Sequence, residues 1–251
     1  MRRLIIRPGA LGDFILSLPA LECLRTSYTE IWTRSAYLPL IQFADRTRAI
    51  AATGLDLVAV TEPPSSLWET LRGFDSIVSW YGANRPEFRY AVRDFPFTFF
   101  PALPADNRVH AADFYLSQAG ALEACAGSPI PRIACGVGRE DFAIIHPFSG
   151  SQRKNWPLEK FRALAAELAL TVPVQWCRGP EDPPLPGATE IEDLFQLACW
   201  FAKARLYIGN DSGVTHLAAA VGTPVLAFFG PTDPAVWAPR GPKVEIGRFP
   251  C

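Results

Sequence analysis

The residues Gly209-Asn210-Asp211-Ser212-Gly213-Val214-Thr215-His216 have the types and order of a diphosphate site. They follow a short apolar run, Leu206-Tyr207-Ile208, and lead into an Ala-rich stretch that Gly222 and Pro224 stop. Strand, tight turn and helix are expected, with Asp211 as the helix N-cap. Val214, Leu217, Ala218 and Val221 recur at i, i+3, i+4 and i+7 and form the buried stripe, while Ser212 and His216 share another face. Unpaired N–H groups and the positive dipole end of a first helical turn attract phosphate. Gly213 lets a ligand approach the backbone, and His216 can donate a hydrogen bond to a phosphate or sugar hydroxyl. An ordinary capped helix has the same first turn, so this stretch alone leaves both readings open.

Two further clusters also follow apolar runs. After Leu4-Ile5-Ile6, the sequence Arg7-Pro8-Gly9-Ala10-Leu11-Gly12-Asp13 puts Gly9 and Gly12 in a turn and Asp13 in the first turn of a helix. That is the strand end at which open α/β sheets bind ligands. The carboxylate there either steadies the helix dipole or faces the cleft. The glycine spacing is not that of a dinucleotide fold, and Arg34-Ser35 stand where such a fold places an acidic residue. The third cluster is the loop after Ala143-Ile144-Ile145-His146, which carries Ser149, Gly150, Arg153 and Lys154 before Trp156-Pro157. A cation there can neutralise charge building on a departing diphosphate without a metal; a solvated loop that starts the next helix is the plainer reading.

The elements that must position these clusters alternate. Strands are expected at 4–6, 30–33, 58–60, 76–80 and 97–100, with helices at 11–25 and 37–48. A second series has strands at 143–146, 172–176, 206–208 and 225–229 and helices at 158–169, 193–204 and after Asp211. This is the βαβ pattern of parallel sheets. Turn formers and charges at 127–131 and 136–141 mark a boundary, giving an N-terminal Rossmann-like unit at 1–135 and a C-terminal one at 136–251.

With 251 residues, 49% apolar and 20% charged, the chain is globular, and a formal net charge of −1 gives no reason to expect nucleic acid as a partner. Six cysteines without a C-x-x-C pair point to reduced thiols rather than a zinc site or a disulfide framework. Only three apolar residues separate Arg3 from Arg7, too few for a signal-peptide core. No run approaches the roughly 18 apolar residues of a membrane span.

At these three clusters the sequence resembles the heptosyltransferase family, the ninth glycosyltransferase family, whose members move a heptose from ADP-heptose onto the inner core of lipopolysaccharide. The resemblance covers residues 4–24, 144–161 with Lys-Asn-Trp-Pro, and 206–239 with Asp-Ser-Gly-x-x-His, Phe-Gly-Pro-Thr-Asp-Pro and Trp-x-Pro. It implies a GT-B fold, with two Rossmann-like halves whose parallel sheets face a central cleft, the acceptor on the first and the nucleotide sugar on the second. It also implies an inverting transfer with no cofactor or metal. Asp13 matches the general base, and Lys154 the residue on the sugar diphosphate. Ser149 and Gly150 match the adjacent phosphate contacts, Glu181 a carboxylate near the ribose, and Asp211, Ser212, Gly213 and His216 the residues holding sugar and pyrophosphate. Gly9 and Gly12 form the acceptor-side loop. The partners implied are a nucleotide sugar and a lipopolysaccharide-core or other glycan acceptor, met in the cytoplasm with peripheral contact at the inner membrane leaflet. The resemblance also leads one to expect longer N-terminal loops and closing helices after Arg248-Phe249-Pro250-Cys251, where the sequence stops. Two other readings stay open: a nucleotide-sugar epimerase or hydrolase of similar fold, and a non-catalytic nucleotide-binding remnant.

Overall fold

The computed structural model of the chain describes residues 1–105, 108–123, 125 and 127–250. The N-terminal half is built on β1 (Arg2–Ile6), β2 (Tyr28–Thr33), β3 (Arg46–Ala49), β4 (Ser76–Ser79) and β5 (Phe97–Phe99), in the order β3-β2-β1-β4-β5. Every pairing is parallel. Helices α1 (Leu11–Cys23), α2 (Ser65–Arg72), α3 (Pro86–Ala91) and α4 (Ala111–Gly120) complete it. Central β1 is apolar on both faces, as a covered parallel strand must be. Leu4 and Ile6 pack with Trp32, Leu67, Leu71 and Phe88, and Ile5 packs with Phe14, Ile15 and Tyr115.

The C-terminal half repeats the plan with β6 (Ala143–His146), β7 (Val174–Arg178), β8 (Thr189–Glu190), β9 (Leu206–Asn210), β10 (Val225–Phe229) and β11 (Val244–Arg248), ordered β11-β10-β9-β6-β7-β8 and again parallel throughout. Its helices are α5 (Leu158–Leu168), α6 (Leu194–Lys203), α7 (Gly213–Ala220) and α8 (Pro234–Trp237). The connection from α4 to β6, where the boundary at 135 and 136 is expected, contains no helix or strand among its described residues.

Several expectations are corrected. The helix expected at 37–48 is a 3-10 segment, Ser35–Leu40, followed by the edge strand β3. Pro39 breaks the helical run, and Arg46-Thr47-Arg48 pairs beside β2. The strand expected at 58–60 is a turn after the 3-10 segment Leu55–Leu57, with Ala59 at φ 64° and only Val58 buried. Pro173 delays β7 to Val174. The N-cap of α7 is Ser212, not Asp211; the Asp211 N–H is held by Phe228 O of β10, which keeps that residue in the sheet. Cys23 and Cys125 are joined as a disulfide with Cα atoms 5.6 Å apart, against the expectation of reduced thiols throughout. No spacing motif announces the pair, because 102 residues separate its members.

The two halves share one apolar core. Helix α1 packs on α4 within its own half and on α7 of the other, and Phe14, Leu18, Tyr115, Phe201, Leu217 and Ala218 belong to a single buried cluster. Where α1 and α7 meet, a Cβ on Gly213 would lie 2.8 Å from Leu11 Cβ and 3.3 Å from Gly12 N, and one on Gly12 would lie 3.0 Å from His216 Cδ2. Gly213→Ala is therefore expected to cost about 1–3 kcal/mol through overpacking, read from urea unfolding. Gly138→Ala, where an added Cβ meets nothing within 4 Å, serves as the control and should shift stability by less than about 0.5 kcal/mol.

Candidate active site

Three strand ends deliver the sequence clusters to one cleft of about 490 Å³, within the usual range for small-molecule sites. The turn after β1 and the first turn of α1 bring Ala10, Gly12 and Asp13, the loop after β6 brings Gly150, Ser151 and Lys154, and the residues after β9 with the start of α7 bring Asp211, Ser212, Gly213 and His216. Both sheets thus present their carboxyl edges, where open α/β sheets place ligands, to the same space.

Asn210 fixes the relation between the second and third groups. Its fully buried side-chain amide donates to Pro147 O at 2.8 Å, and its Oδ1 accepts from Trp156 N at 2.8 Å, so the loop carrying Lys154 is tied at both ends to the tip of β9. The Trp156 ring stacks on Phe228 with centroids 4.1 Å apart and closes the loop from below. The start of α7 is fixed by Thr215, whose hydroxyl donates to Asn210 O at 2.6 Å and lies 3.0 Å from Ser212 Oγ. Lys154 Nζ then reaches Asp211 Oδ2 at 2.7 Å. Asp211 is 6% exposed, whereas the Lys154 side chain is 36% exposed, so the carboxylate anchors and the ammonium faces the cleft.

Across the cleft, Asp13 makes no side-chain hydrogen bond or ion pair among the described residues. Burial raises its carboxyl above the ordinary value; Arg7 and Lys154 pull it back, and Asp211 adds to the rise. Arg7 is almost wholly buried, its guanidinium 4.5 Å from the Tyr115 ring centroid and hydrogen-bonded to Ser17 Oγ, Ala102 O and Asp13 O. It acts on the carboxylate through the field and on the turn through the backbone. His216 is buried, and burial draws its imidazole down to about 4, with Asp211 opposing and His110 and Lys154 adding to the fall. The ring is therefore neutral near pH 7, and its Nδ1 has no partner among the described residues.

Not every expected residue lines the cleft. Gly150 does, but the Ser149 hydroxyl is engaged inside its own loop, 2.8 Å from Ser151 O and 2.7 Å from Asn155 Oδ1. Glu181 is exposed in the turn after β7, while its neighbour Asp182 faces inward, taking Gly179 N at 2.6 Å and His146 Nε2 at 3.0 Å. Gly9, at φ 135°, makes the turn into α1, and its carbonyl accepts from Tyr37 OH at 3.1 Å. Leu103, Ser151, Thr232 and Trp237 also line the cleft, although sequence reasoning does not assign them to it. Thr232 and Trp237 lie inside the Phe-Gly-Pro-Thr-Asp-Pro and Trp-x-Pro runs, which carry a signal; Leu103 carries none. Among the described residues no three or more His, Cys, Asp or Glu side chains are grouped to hold a metal ion.

Comparison with known proteins agrees with this geometry. The family described as "Glycosyltransferase family 9 (heptosyltransferase)" matches residues 78–249, more than half of the chain. Lipopolysaccharide heptosyltransferase 3 of Escherichia coli is 32% identical over 120 residues, covering 41% of this chain and 35% of that protein. The chain thus spans about a third or less of the length of the curated relatives it matches. A glycosyl transferase family 9 structure from Veillonella parvula superposes with a TM-score of 0.76 at 20% identity, over 100% of this chain and 86% of that one. The E. coli ADP-heptose lipopolysaccharide heptosyltransferase II gives 0.73 at 17% identity, over 99% and 91%. At these identities the likeness is one of fold, and the two facing parallel sheets are the GT-B architecture. By its matched residues, its motifs and its two-sheet fold, the chain belongs to glycosyltransferase family 9, the heptosyltransferase family.

Proposed function

We propose that the cleft transfers a heptose from ADP-heptose to a hydroxyl of a lipopolysaccharide-core glycan, in a single inverting displacement that uses no metal. The observation that carries this reading is a carboxylate, Asp13, with no hydrogen-bond or ion-pair partner among the described residues, in the same cleft as the Lys154–Asp211 pair and the first turn of α7. An E. coli protein of similar fold is an ADP-heptose lipopolysaccharide heptosyltransferase, which supports the choice of donor. The activity belongs in the cytoplasm, with the acceptor side docked at the inner membrane leaflet. Among the described residues no helix is long and apolar enough to cross a membrane.

In the reaction the acceptor oxygen attacks the anomeric carbon, the bond from that carbon to the diphosphate oxygen breaks, and Asp13 takes the hydroxyl proton. Negative charge accumulates on the leaving diphosphate. Lys154, the α7 N-terminus and a hydrogen bond from His216 receive it, a preorganised arrangement that needs no proton transfer to the leaving group. Asp211 is held on Lys154, which leaves Asp13 to serve a single displacement. An epimerase or hydrolase would need a further free acid or base in the cleft.

Titration with ADP, UDP and GDP in EDTA tests the donor, and ADP should bind best. Lys154→Ala should weaken ADP and lower turnover by about two to three powers of ten. Equal binding of all three nucleotides, or strict dependence on added magnesium, would overturn the donor assignment or the metal-free mechanism. Asp13→Ala should lower kcat by about two to four powers of ten with ADP affinity nearly unchanged. Because the Asp13 carboxyl is raised, the acidic limb of kcat/KM should lie above pH 3.8 and vanish in that variant.

The same burial makes the base a burden to the fold. A carboxyl raised in the folded state binds its proton more tightly there, so stability falls as pH rises through the window above 3.8 and the loss is complete at neutral pH. Asp13→Asn is therefore expected to raise Tm at pH 7, with the gain disappearing below the ordinary carboxyl value. Equal shifts at both pH values would contradict this.

A further inference from the structure

Two side-chain links join the start of α4 in the N-terminal half to the segment after α8 in the C-terminal half. His110 Nδ1 accepts from Ala112 N at 3.2 Å, capping α4. That bond leaves the ring proton on Nε2, which donates to Ala238 O at 2.9 Å. Three residues along α4, Asp113 Oδ2 accepts from Arg240 Nη2 at 2.5 Å. Burial, with Arg240 next in effect, holds the His110 imidazole below its usual value, so it remains neutral and keeps this tautomer. Ala238 and Arg240 directly follow α8, whose last residue, Trp237, lines the cleft. On its other side this segment is seated on α7, since a Cβ on Gly241 would come within 2.9 Å of Ala219 O. The Trp237 wall is therefore seated on the C-terminal half, and His110 and Asp113 hold it from the N-terminal half.

We propose that His110 and Asp113, with the Ala238 carbonyl and Arg240, form a clasp that sets the width of the cleft, making His110 and Asp113 positioning residues for the transfer. The consequence for the reaction rests on the transferase reading; the clasp itself does not. Helix α4 packs on α1, which carries Asp13, so the clasp fixes the base relative to Trp237 and, through α7, to Lys154 and Asp211. When it opens, the wall swings with the C-terminal half and the base loses its distance to the donor. Both charged partners are partly exposed, with side chains 31% and 43% accessible, so the pair can part without leaving a buried charge unpaired.

The test follows backbone amide exchange over residues 234–240 and steady-state transfer in parallel. His110→Asn keeps a good helix cap and removes the link to Ala238. Asp113→Ala and Arg240→Ala break the ion pair, and the double variant Asp113→Arg with Arg240→Asp restores it in reverse. The single changes should speed exchange over 234–240 by about five- to tenfold through easier local opening. They should lower kcat by about ten- to a hundredfold with ADP affinity within about twofold, and the reversed pair should recover most of both effects. Unchanged exchange in all three single variants would overturn the clasp, as would a reversed pair no better than the single ones. Faster exchange in a chain whose wild type transfers no sugar would support the clasp and overturn the transferase reading instead.

Discussion

The architecture depends on one close contact, the meeting of the first turns of α1 and α7 at Gly12 and Gly213. Without side chains at these positions, two helix N-termini from different sheets approach to backbone distance. Each brings its own chemistry, a carboxylate at Asp13 and an anion-accepting turn at Ser212 and Gly213. The helix dipoles make the meeting point positive, and Arg7 and then Lys154 oppose the rise that burial gives the Asp13 carboxyl. Larger residues would push the helices apart and weaken both effects together.

A second constraint is the use of buried neutral polar groups to hold charged ones. The Asn210 amide, the Thr215 hydroxyl and the Trp156 N–H carry no charge and are fully engaged, yet they decide where Lys154 and Asp211 stand. Arg7 is the exception, a cation sunk among Tyr115 and Trp80 with its donors spent on carbonyls and Ser17. It contributes potential without presenting an atom to a ligand. The charged groups at the cleft can thus be few, because each is oriented by a layer that already satisfies its own hydrogen bonds.

Much of this was legible in the chain. The β-branched and aliphatic runs at Leu4-Ile5-Ile6, Ala143-Ile144-Ile145 and Val225-Leu226-Ala227 marked the central strands because parallel strands are buried on both faces and read as continuous apolar runs. The clusters following them placed Asp13, Lys154 and Asp211 in one cleft. Peripheral elements were less legible. Edge strand β3 is polar, and Val58 is a single buried anchor in a turn, so hydrophobic pattern misassigned both. Cap identity failed at Asp211 because a sheet hydrogen bond to Phe228 outweighed local capping preference. His110 and Asp113 were invisible for another reason: their partners lie 128 and 127 residues away, and no local spacing encodes a contact made only after both halves have folded.

The shared core has a consequence for how the molecule comes into being. Helix α1 is among the first segments synthesised, yet one of its buried partners, α7, lies some 200 residues later in the chain. Until α7 arrives, the face formed by Leu11 and its neighbours has no cover, and the N-terminal sheet remains an unfinished unit with exposed apolar surface. Folding is then dominated by long-range contacts, which slow it and lengthen the period in which such surface can aggregate. The two sheets, separate in hydrogen bonding, are thus coupled through the packing of α1 on α7.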